Sequence, residues 1–440
     1  MRKMKDSGLE WIGEIPESWD ICPIKYNFDI MLGKMLQPVP KNDDDELCSY
    51  MCAVNVRWNG VDTSIEKQMW FSPKEKENYR LKNGDLLVTE GGDVAVSCIW
   101  NGELNECYFQ NAIHRVRPRS NNSNRFLYYW MQVLKNSGYI DLICNKATLA
   151  HFTKDKFEIC PMPHVELELQ TRIADYLDKK CAEIDAIIAA KEKTNELLKE
   201  RRQSIIYEAV TKGLDPTAPM KDSGIEWIGE IPDDWAVCKI KHFVVDEDGV
   251  RIGPFGSALT NRLLENGKYN VYSQANLIAG DFGATKHTID EDTFSDLKNY
   301  EVLADDICVS MMGTIGKCKV VPVGIKPGIM DSHLIKIRLK SHVNPKFFEY
   351  VYDKDNSGLC FVQMKRDSKG TIMDGLNSTI VKNLFFPLPS LNIQNGIVEF
   401  LDKKCTEIDA LISANESTIE KLKEYRQSVI YEAVTGKAEI

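Results

Sequence analysis

No run of eighteen or more apolar residues occurs in the 440-residue chain, so no segment is expected to cross a bilayer as a helix. The opening Met1–Asp6 leads into no apolar stretch, and no secretory signal is expected. None of the thirteen cysteines forms a Cys-x-x-Cys pair; Cys48 and Cys52 are the nearest two, and no histidine cluster accompanies them. That pattern speaks against zinc and against a disulfide framework, and for buried thiols in a reducing, cytoplasmic setting. Positive charge is also scarce: 55 Lys and Arg face 65 Asp and Glu, a net charge of −10. A chain coated in basic patches is excluded, although phosphate binding needs only a local positive face. What remains, 43% hydrophobic and 27% charged, reads as globular and long enough for two or three domains.

Catalytic motifs are missing too. Gly313-Thr314-Ile315-Gly316-Lys317-Cys318 lacks the first glycine and the hydroxyl residue after lysine that a phosphate-binding loop needs. Neither Asp215-Pro216-Thr217 nor Asn344-Pro345-Lys346 supplies the second proline of an amino-methyltransferase loop. No glycine-rich fingerprint for a nucleoside cofactor follows a strand. The seven histidines are isolated, and His114 and His333, in strand-like runs, read as packed or hydrogen-bonded. Neither an active site nor a resident cofactor or metal is expected.

What is present is a long repeat. Met4–Trp19 returns as Met220–Trp235, 216 positions later, with 13 of 16 residues identical. Leu177–Ala186 returns as Leu401–Ala410, and Arg202–Thr211 as Arg426–Thr435, both 224 positions later. The sequence between these blocks barely matches. Asn83-Gly84-Asp85-Leu86-Leu87-Val88 aligns loosely with Ala304-Asp305-Asp306-Ile307-Cys308-Val309, and Pro161-Met162-Pro163 with Pro387-Leu388-Pro389. Matching parts suit a partner met twice, and differing parts suit different targets; the alternative is that the middles drifted while the frame kept folding.

Short apolar runs punctuated by Gly, Pro and Asn fill Asp20–Pro163 and 236–389. Strands are expected at Leu86–Val88, Val94–Val96, Ala112–Val116, Val271–Ser273, Ile307–Ser310 and Leu334–Ile337, with helices at Phe126–Val133 and Pro345–Tyr352. Each middle is thus a mixed α+β domain. From about Glu168 to Val210 the period becomes seven: Leu177, Ile184, Lys191, Leu198 and Ile205, with Ile187 at a partner position. Gly213 ends this helix and Asp215–Pro219 forms a stiff linker. Leu401, Ile408, Asn415, Leu422 and Val429, with Leu411 between them, repeat the pattern. Helices this long with one apolar stripe need a partner helix, and each is the other's obvious partner; the alternative is that each lies on a separate globular surface. Matching polar seam positions in an antiparallel pair puts Ile187 opposite Leu422, Leu198 opposite Leu411, Ile184 opposite Tyr425, Lys191 opposite Thr418 and Thr194 opposite Asn415. The alternative, one heptad away, presses Lys191 and Asn415 onto apolar residues, at a cost of about 1–3 kcal/mol for each polar group.

Several loops carry the residue types that grip phosphates and read base edges. In the first copy these are Gly33-Lys34 and Asn145–His151, giving Lys34, Lys146, Thr148 and His151 as DNA-contact candidates. In the second, Val250–Ser257 puts Arg251 and Ser257 beside glycines through which the backbone can approach a ligand. Met364–Thr371 adds Arg366, Lys369 and Thr371, and the Gly313–Lys317 loop adds Lys317. Solvated surface loops are the competing reading for each.

These residues together resemble the specificity subunits of type I restriction–modification systems. The phrase Asp-Ser-Gly-x-Glu-Trp-Ile-Gly-Glu-Ile-Pro-x-x-Trp, at 6–19 and 222–235, looks like the repeated start of their target recognition domains. Arg251–Leu259, Gly313–Lys317, Gly375-Leu376-Asn377, Asn83-Gly84-Asp85 and Glu90-Gly91-Gly92 fit their recognition domains, and Leu177–Thr211 and Leu401–Thr435 their two helical regions. One departure is Ala304-Asp305-Asp306, where the family has glycine before the aspartate, so a distorted start to that strand is expected. The resemblance implies an α+β fold in a pseudo-twofold tandem: a recognition domain at 1–165, a helix at 166–213, a linker and second recognition domain at 214–389, and a second helix at 390–440. It implies a non-catalytic subunit whose domains each read half of a bipartite, asymmetric site in double-stranded DNA. The antiparallel helices would act as spacer and as docking surface for two modification subunits, which methylate adenine with S-adenosylmethionine. Two restriction subunits, using ATP and Mg, can join. The alternative is a coiled-coil scaffold whose heads bind protein.

Overall fold

The computed structural model describes residues 2–119, 121–144, 150–246, 249–255, 257–367 and 376–440. The chain forms two compact units, Met1–Lys191 with Ser417–Ile440, and Glu192–Glu416. Both use one α+β plan.

In the first unit a hairpin, Met4–Asp6 with Glu14–Pro16, precedes a four-stranded antiparallel sheet. Its strand order is Ser97–Ile99, Leu86–Thr89, Ile113–Pro118, Phe28–Leu32. A three-stranded sheet sets Glu46–Met51 between Tyr108–Phe109, parallel to it, and Gln68–Phe71, antiparallel. The second unit repeats this in the same order: Cys318–Val320, Ile307–Ser310, Leu334–Ile337, Val250–Ile252 in one sheet. In its other sheet Tyr269–Tyr272 lies between Gly328–Met330, parallel, and His287–Ile289, antiparallel. The Leu86–Val88 and Ile307–Val309 stretches are apolar throughout and fully buried, which suits two-sided burial. The helix at Asn124–Asn136 starts on a Ser123 cap and buries Phe126, Leu127, Trp130 and Leu134 on one face.

Val94–Val96 is not a strand. Its apolar residues are buried in a turn in which Ala95 takes φ +64°. The pairing of the domain-closing strands shifts the expected alignment by two residues. Met162 lies opposite Cys22 and Phe386 opposite Cys238, so Pro163 corresponds to Pro387, not Pro389. The start of the Ile307 strand is not distorted either. Asp305 adopts φ +67° where Gly84 has +88°, and Leu303 N–H donates to Asp306 at 2.8 Å as Lys82 N–H does to Asp85. Asp85 and Asp306 then each take a two-pronged bond from Arg117 and Arg338.

The repeated blocks hold equivalent internal ties. The long helices run Leu167–Lys212 and Leu391–Val434. Near their starts, buried Gln170 and Gln394 accept from Ser123 N–H and Asn344 N–H at 2.8 Å and donate to Val165 and Pro389 carbonyls. Tyr129 donates to Asp178 and Tyr350 to Asp402, both at 2.6 Å. In the first unit Arg426 pairs with Asp185 at 2.9 Å and Tyr431 donates to Ile12 O; in the second Arg202 pairs with Asp409 at 3.2 Å and Tyr207 donates to Ile228 O.

These ties also set the helix register, which differs from the expected one. Within the second unit the side chain of Asn415 donates to Asn195, not Thr194, at 2.9 Å. Leu177 and Ile184 are buried, and Lys191, Leu198, Asn415, Thr418 and Leu422 are half-buried, but Thr194 is exposed. Ile187 and Leu411 point away from the seam, 48% and 56% exposed. The buried positions are Cys181, Asn195, Cys405, Ile412 and Ile419, with Ile188 half-buried. The seam therefore steps four residues and then three from Leu177 and Leu401. One residue along a helix is a turn of about 100°, so the three-then-four choice swings Ile187 and Leu411 outward.

Candidate nucleic-acid interface

The sheet frame presents matched turns in each unit. After Glu46–Met51 the chain caps a short turn at Cys52, and Asn55 accepts the Cys52 N–H while donating to the Asp62 and Ile65 carbonyls. After Tyr269–Tyr272, Ser273 and Asn276 repeat this, with Asn276 donating to Asp281 and Ala284. A second turn follows Leu86–Thr89, where the Thr89 hydroxyl donates to Asp93 O at 2.6 Å. Its counterpart is Ser310, donating to Thr314 O at 2.5 Å. Gly92 and Gly313 hold matching positive φ values of 76° and 67°.

On this common frame the exposed residues differ. Two and three residues past the structural asparagine stand Arg57 and Trp58 in the first unit, Ile278 and Ala279 in the second. Between its two turns the first unit opens a cavity of about 400 Å3, lined by Ala53, Val54, Arg57, Trp58, Gly91 and Gly92 among others. In the second unit Gln274 stands where Ala53 does, and its amide donates across to Met312 O and the Thr314 hydroxyl at 2.8 and 2.7 Å.

The expected contact residues fare unequally. Lys34 is buried, its ammonium donating to Gln37 at 2.7 Å and paired with Glu75. Burial pushes the Glu75 carboxyl up, but the bonds from Lys34 and Ser72 outweigh it and hold it below its ordinary value. Lys34 is therefore a structural ion pair, not a DNA contact, because removing it from its acid would strand a buried charge. Lys317 pairs with Asp355, whose carboxyl, also raised by burial, is drawn down by that lysine. Arg366 lies over the Trp227 ring at 5.0 Å and pairs with Glu226 at 2.8 Å, an exposed pair weak enough to yield to a phosphate. Arg251, half-buried, sits 5.9 Å over the Tyr300 ring, and exposed His151 lies beside Gly91. Lys146, Thr148, Lys369 and Thr371 lie outside the described residues; Ser257 opens a short helix, its side chain likewise outside them.

Gly253, read as opening the backbone to a ligand, serves internal packing instead, as does Gly33, while Gly256 lies outside the described residues. A Cβ on Gly33 would meet Gln110 O at 2.3 Å, and one on Gly253 would meet Asp331 O at 1.8 Å. Arg57 and Trp58 were missed, although a cation and an aromatic directly before Asn59-Gly60, a hairpin turn pair, were legible. Nearby, burial pushes the Glu90 carboxyl up while His151 draws it down, leaving a net rise.

Among the described residues no helix is long and apolar enough to cross a membrane, and no group of ligating side chains could hold a metal ion. A family model described as the type I restriction modification DNA specificity domain matches residues 54–199 and 232–423. The chain is 23% identical to the type I restriction enzyme StySPI specificity subunit of Salmonella potsdam, over 97% of this chain and 90% of that protein. It is 24% identical to the MjaVIII specificity subunit of Methanocaldococcus jannaschii, over 97% and 94%. It is 22% identical to the EcoBI specificity subunit of Escherichia coli, over 84% and 76%. A chain from a solved structure of a type I R-M system has the same fold, with a TM-score of 0.69 at 12% identity, over 96% of this chain and 99% of that one. With the family model covering most of both repeats, the chain belongs to the type I restriction–modification DNA specificity family.

Proposed function

We propose that this chain is the sequence-specificity subunit of a type I restriction–modification complex, each head reading one half of a bipartite, asymmetric site in double-stranded DNA. The observation that carries this reading is one sheet frame built twice, with the same framework bonds at Asn55 and Asn276, bearing unlike turns. Two half-sites of different sequence need two readers of that kind. The family match counts against a scaffold whose heads bind protein.

The helices dock two modification subunits, one per repeat. Supporting this, two of the outward apolar residues, Ile187 and Leu411, are 224 positions apart and follow equivalent ion pairs, Lys180–Glu183 and Lys404–Glu407, both at 2.9 Å. Single exposed apolar residues are ordinary, but their repetition on both helices suits a partner bound twice. S-adenosylmethionine, and ATP and Mg where restriction subunits join, belong to those partners. All thirteen cysteines are free, in keeping with a cytoplasmic location. The test is to assay the purified chain alone and with its modification subunits. Adenine methylation at one split sequence is expected only from the complex; methyl transfer by the single chain would overturn the reading. Exchanging residues 236–389 for a relative's domain should alter one half of the site and leave the other intact.

A further inference from the structure

The open cavity of the first unit has no stated role. Its walls combine an exposed guanidinium, a half-buried indole and bare backbone at Gly91 and Gly92. Gly92 sits at φ +76°, where a side chain would be strained, so the turn stays open. Trp58 is fixed from behind: the Tyr128 hydroxyl donates to its carbonyl at 2.5 Å, and the two rings lie 6.3 Å apart. Arg57 precedes it on a short hairpin, Val56–Arg57 with Gly60–Val61, and lines the cavity. The guanidinium is 57% exposed, and its ion pair, to Asp62 at 3.4 Å, is long. Such a pair contributes little and is easily exchanged for a better acceptor. Lys34, by contrast, is locked in a buried pair, and Asp93 at the rim is taken by Lys135 at 2.8 Å.

We propose that Arg57 reads a guanine of the first half-site, at the mouth of the cavity between the Ala53–Trp58 and Thr89–Val96 turns. This rests on the specificity-subunit reading and assigns one determinant of its sequence choice. A guanidinium offers two parallel donors that match guanine O6 and N7 in the major groove, and the ammonium of lysine lacks that fork. Ile278, two residues past Asn276 as Arg57 is past Asn55, lies in the Gln274–Ala279 helix and not on a hairpin; it is 51% exposed and can make no such bond. The two heads therefore differ in backbone and in chemistry just past a shared asparagine, as readers of unlike half-sites must.

The experiment uses the full chain with its modification subunits and S-adenosylmethionine, offered a duplex DNA library randomised across both half-sites, with the bound fraction sequenced. The Arg57→Ala and Arg57→Lys variants are compared with the parent complex. The parent should require guanine at one base pair of the first half-site. Arg57→Ala should lose that preference by roughly 10–100-fold and Arg57→Lys should keep only part of it, while every position of the second half-site is unchanged. Guanine preference retained in Arg57→Ala would make Arg57 a phosphate contact and overturn the proposal. Equal weakening over all sequences, or no change at any position, would overturn it as well. A parent complex that selects no split site would sink the specificity-subunit reading itself, a different result.

Discussion

Acid should unfasten the first unit through a single imidazole. His114 lies on the Ile113–Pro118 strand with no exposed surface. Its Nε2 is 2.7 Å from the Phe152 carbonyl, an acceptor, so Nε2 carries the proton. Nδ1 is buried with no partner, and the ring is flanked edge-on by Phe152 and Phe157 at 6.4 and 5.8 Å. Protonation would place a charge and an unpaired donor in that apolar wedge, so burial pushes the imidazole down from 6.5 to about 4, against the Phe152 bond, which favours the proton. The unfolded chain then binds a proton before the folded one does. Stability from this group is fully present above pH 6.5 and lost as pH falls towards about 4. At about 1.36 kcal/mol for each pH unit, roughly 2.5 kcal/mol is gone by about pH 4.5. Urea unfolding followed by tryptophan fluorescence would measure it, since Trp11, Trp19, Trp58, Trp70, Trp100 and Trp130 all belong to the first unit. His114→Gln can still donate to Phe152 O but cannot titrate. The wild type should lose about 2 kcal/mol more than this variant between about pH 6.5 and 4.5. Parallel pH slopes in the two proteins would refute the argument.

Three other outcomes are expected. Asp305→Gly relieves a left-handed aspartate and should stabilise the second unit by about 0.5–1 kcal/mol, less than the full left-handed penalty because glycine also loosens the unfolded chain. Slower hydrogen exchange across Ile307–Ser310 would report it; faster exchange would contradict it. Asn415→Leu should cost roughly 1–3 kcal/mol by leaving Asn195 short of its bond, and Asn195→Leu added to it should recover most of that, as a double-mutant cycle by denaturation would reveal. Because Ile187 and Leu411 are outward-facing, Ile187→Asp and Leu411→Asp should each leave melting unchanged and each cost one bound modification subunit, counted by the mass of the complex.

Much of the fold was legible because it rests on spacing. The Pro345–Tyr352 helix lies where the pattern put it, between an Asn344 cap and Asp353. The seam failed on a smaller ambiguity: seven-residue spacing fixes Leu177 and Ile184 but leaves the intermediate position open, and Ile187-Ile188 and Leu411-Ile412 each offer an apolar residue to either choice. Cys181 and Cys405 mark the right one, but cysteine was read for redox chemistry and not as a small apolar side chain. Lys34 was out of reach for another reason. Its acid, Glu75, lies 41 residues away, and no local pattern announces a pair made only by the packing of the sheet on a distant helix. Asp305 looked like a fault because a left-handed turn calls for glycine, and short polar side chains tolerate that region better than most.

The last residues of the chain help close its first unit. Tyr431 and Lys437 both bond Ile12 O, at 2.6 and 2.8 Å, and Gly436 fits so closely that a Cβ would meet Pro16 at 2.5 Å. On the ribosome this inverts the order of completion. Glu192–Glu416 is continuous and can finish as soon as it emerges, whereas Met1–Lys191 must wait for Ser417–Ile440. At about 5–20 residues per second that wait lasts roughly 10–45 seconds. Through it Ile12 and Trp19, buried in the finished unit, lack part of their cover. Of the two units, the one begun earlier is thus the later to mature, and the more exposed to aggregation and proteolysis during synthesis.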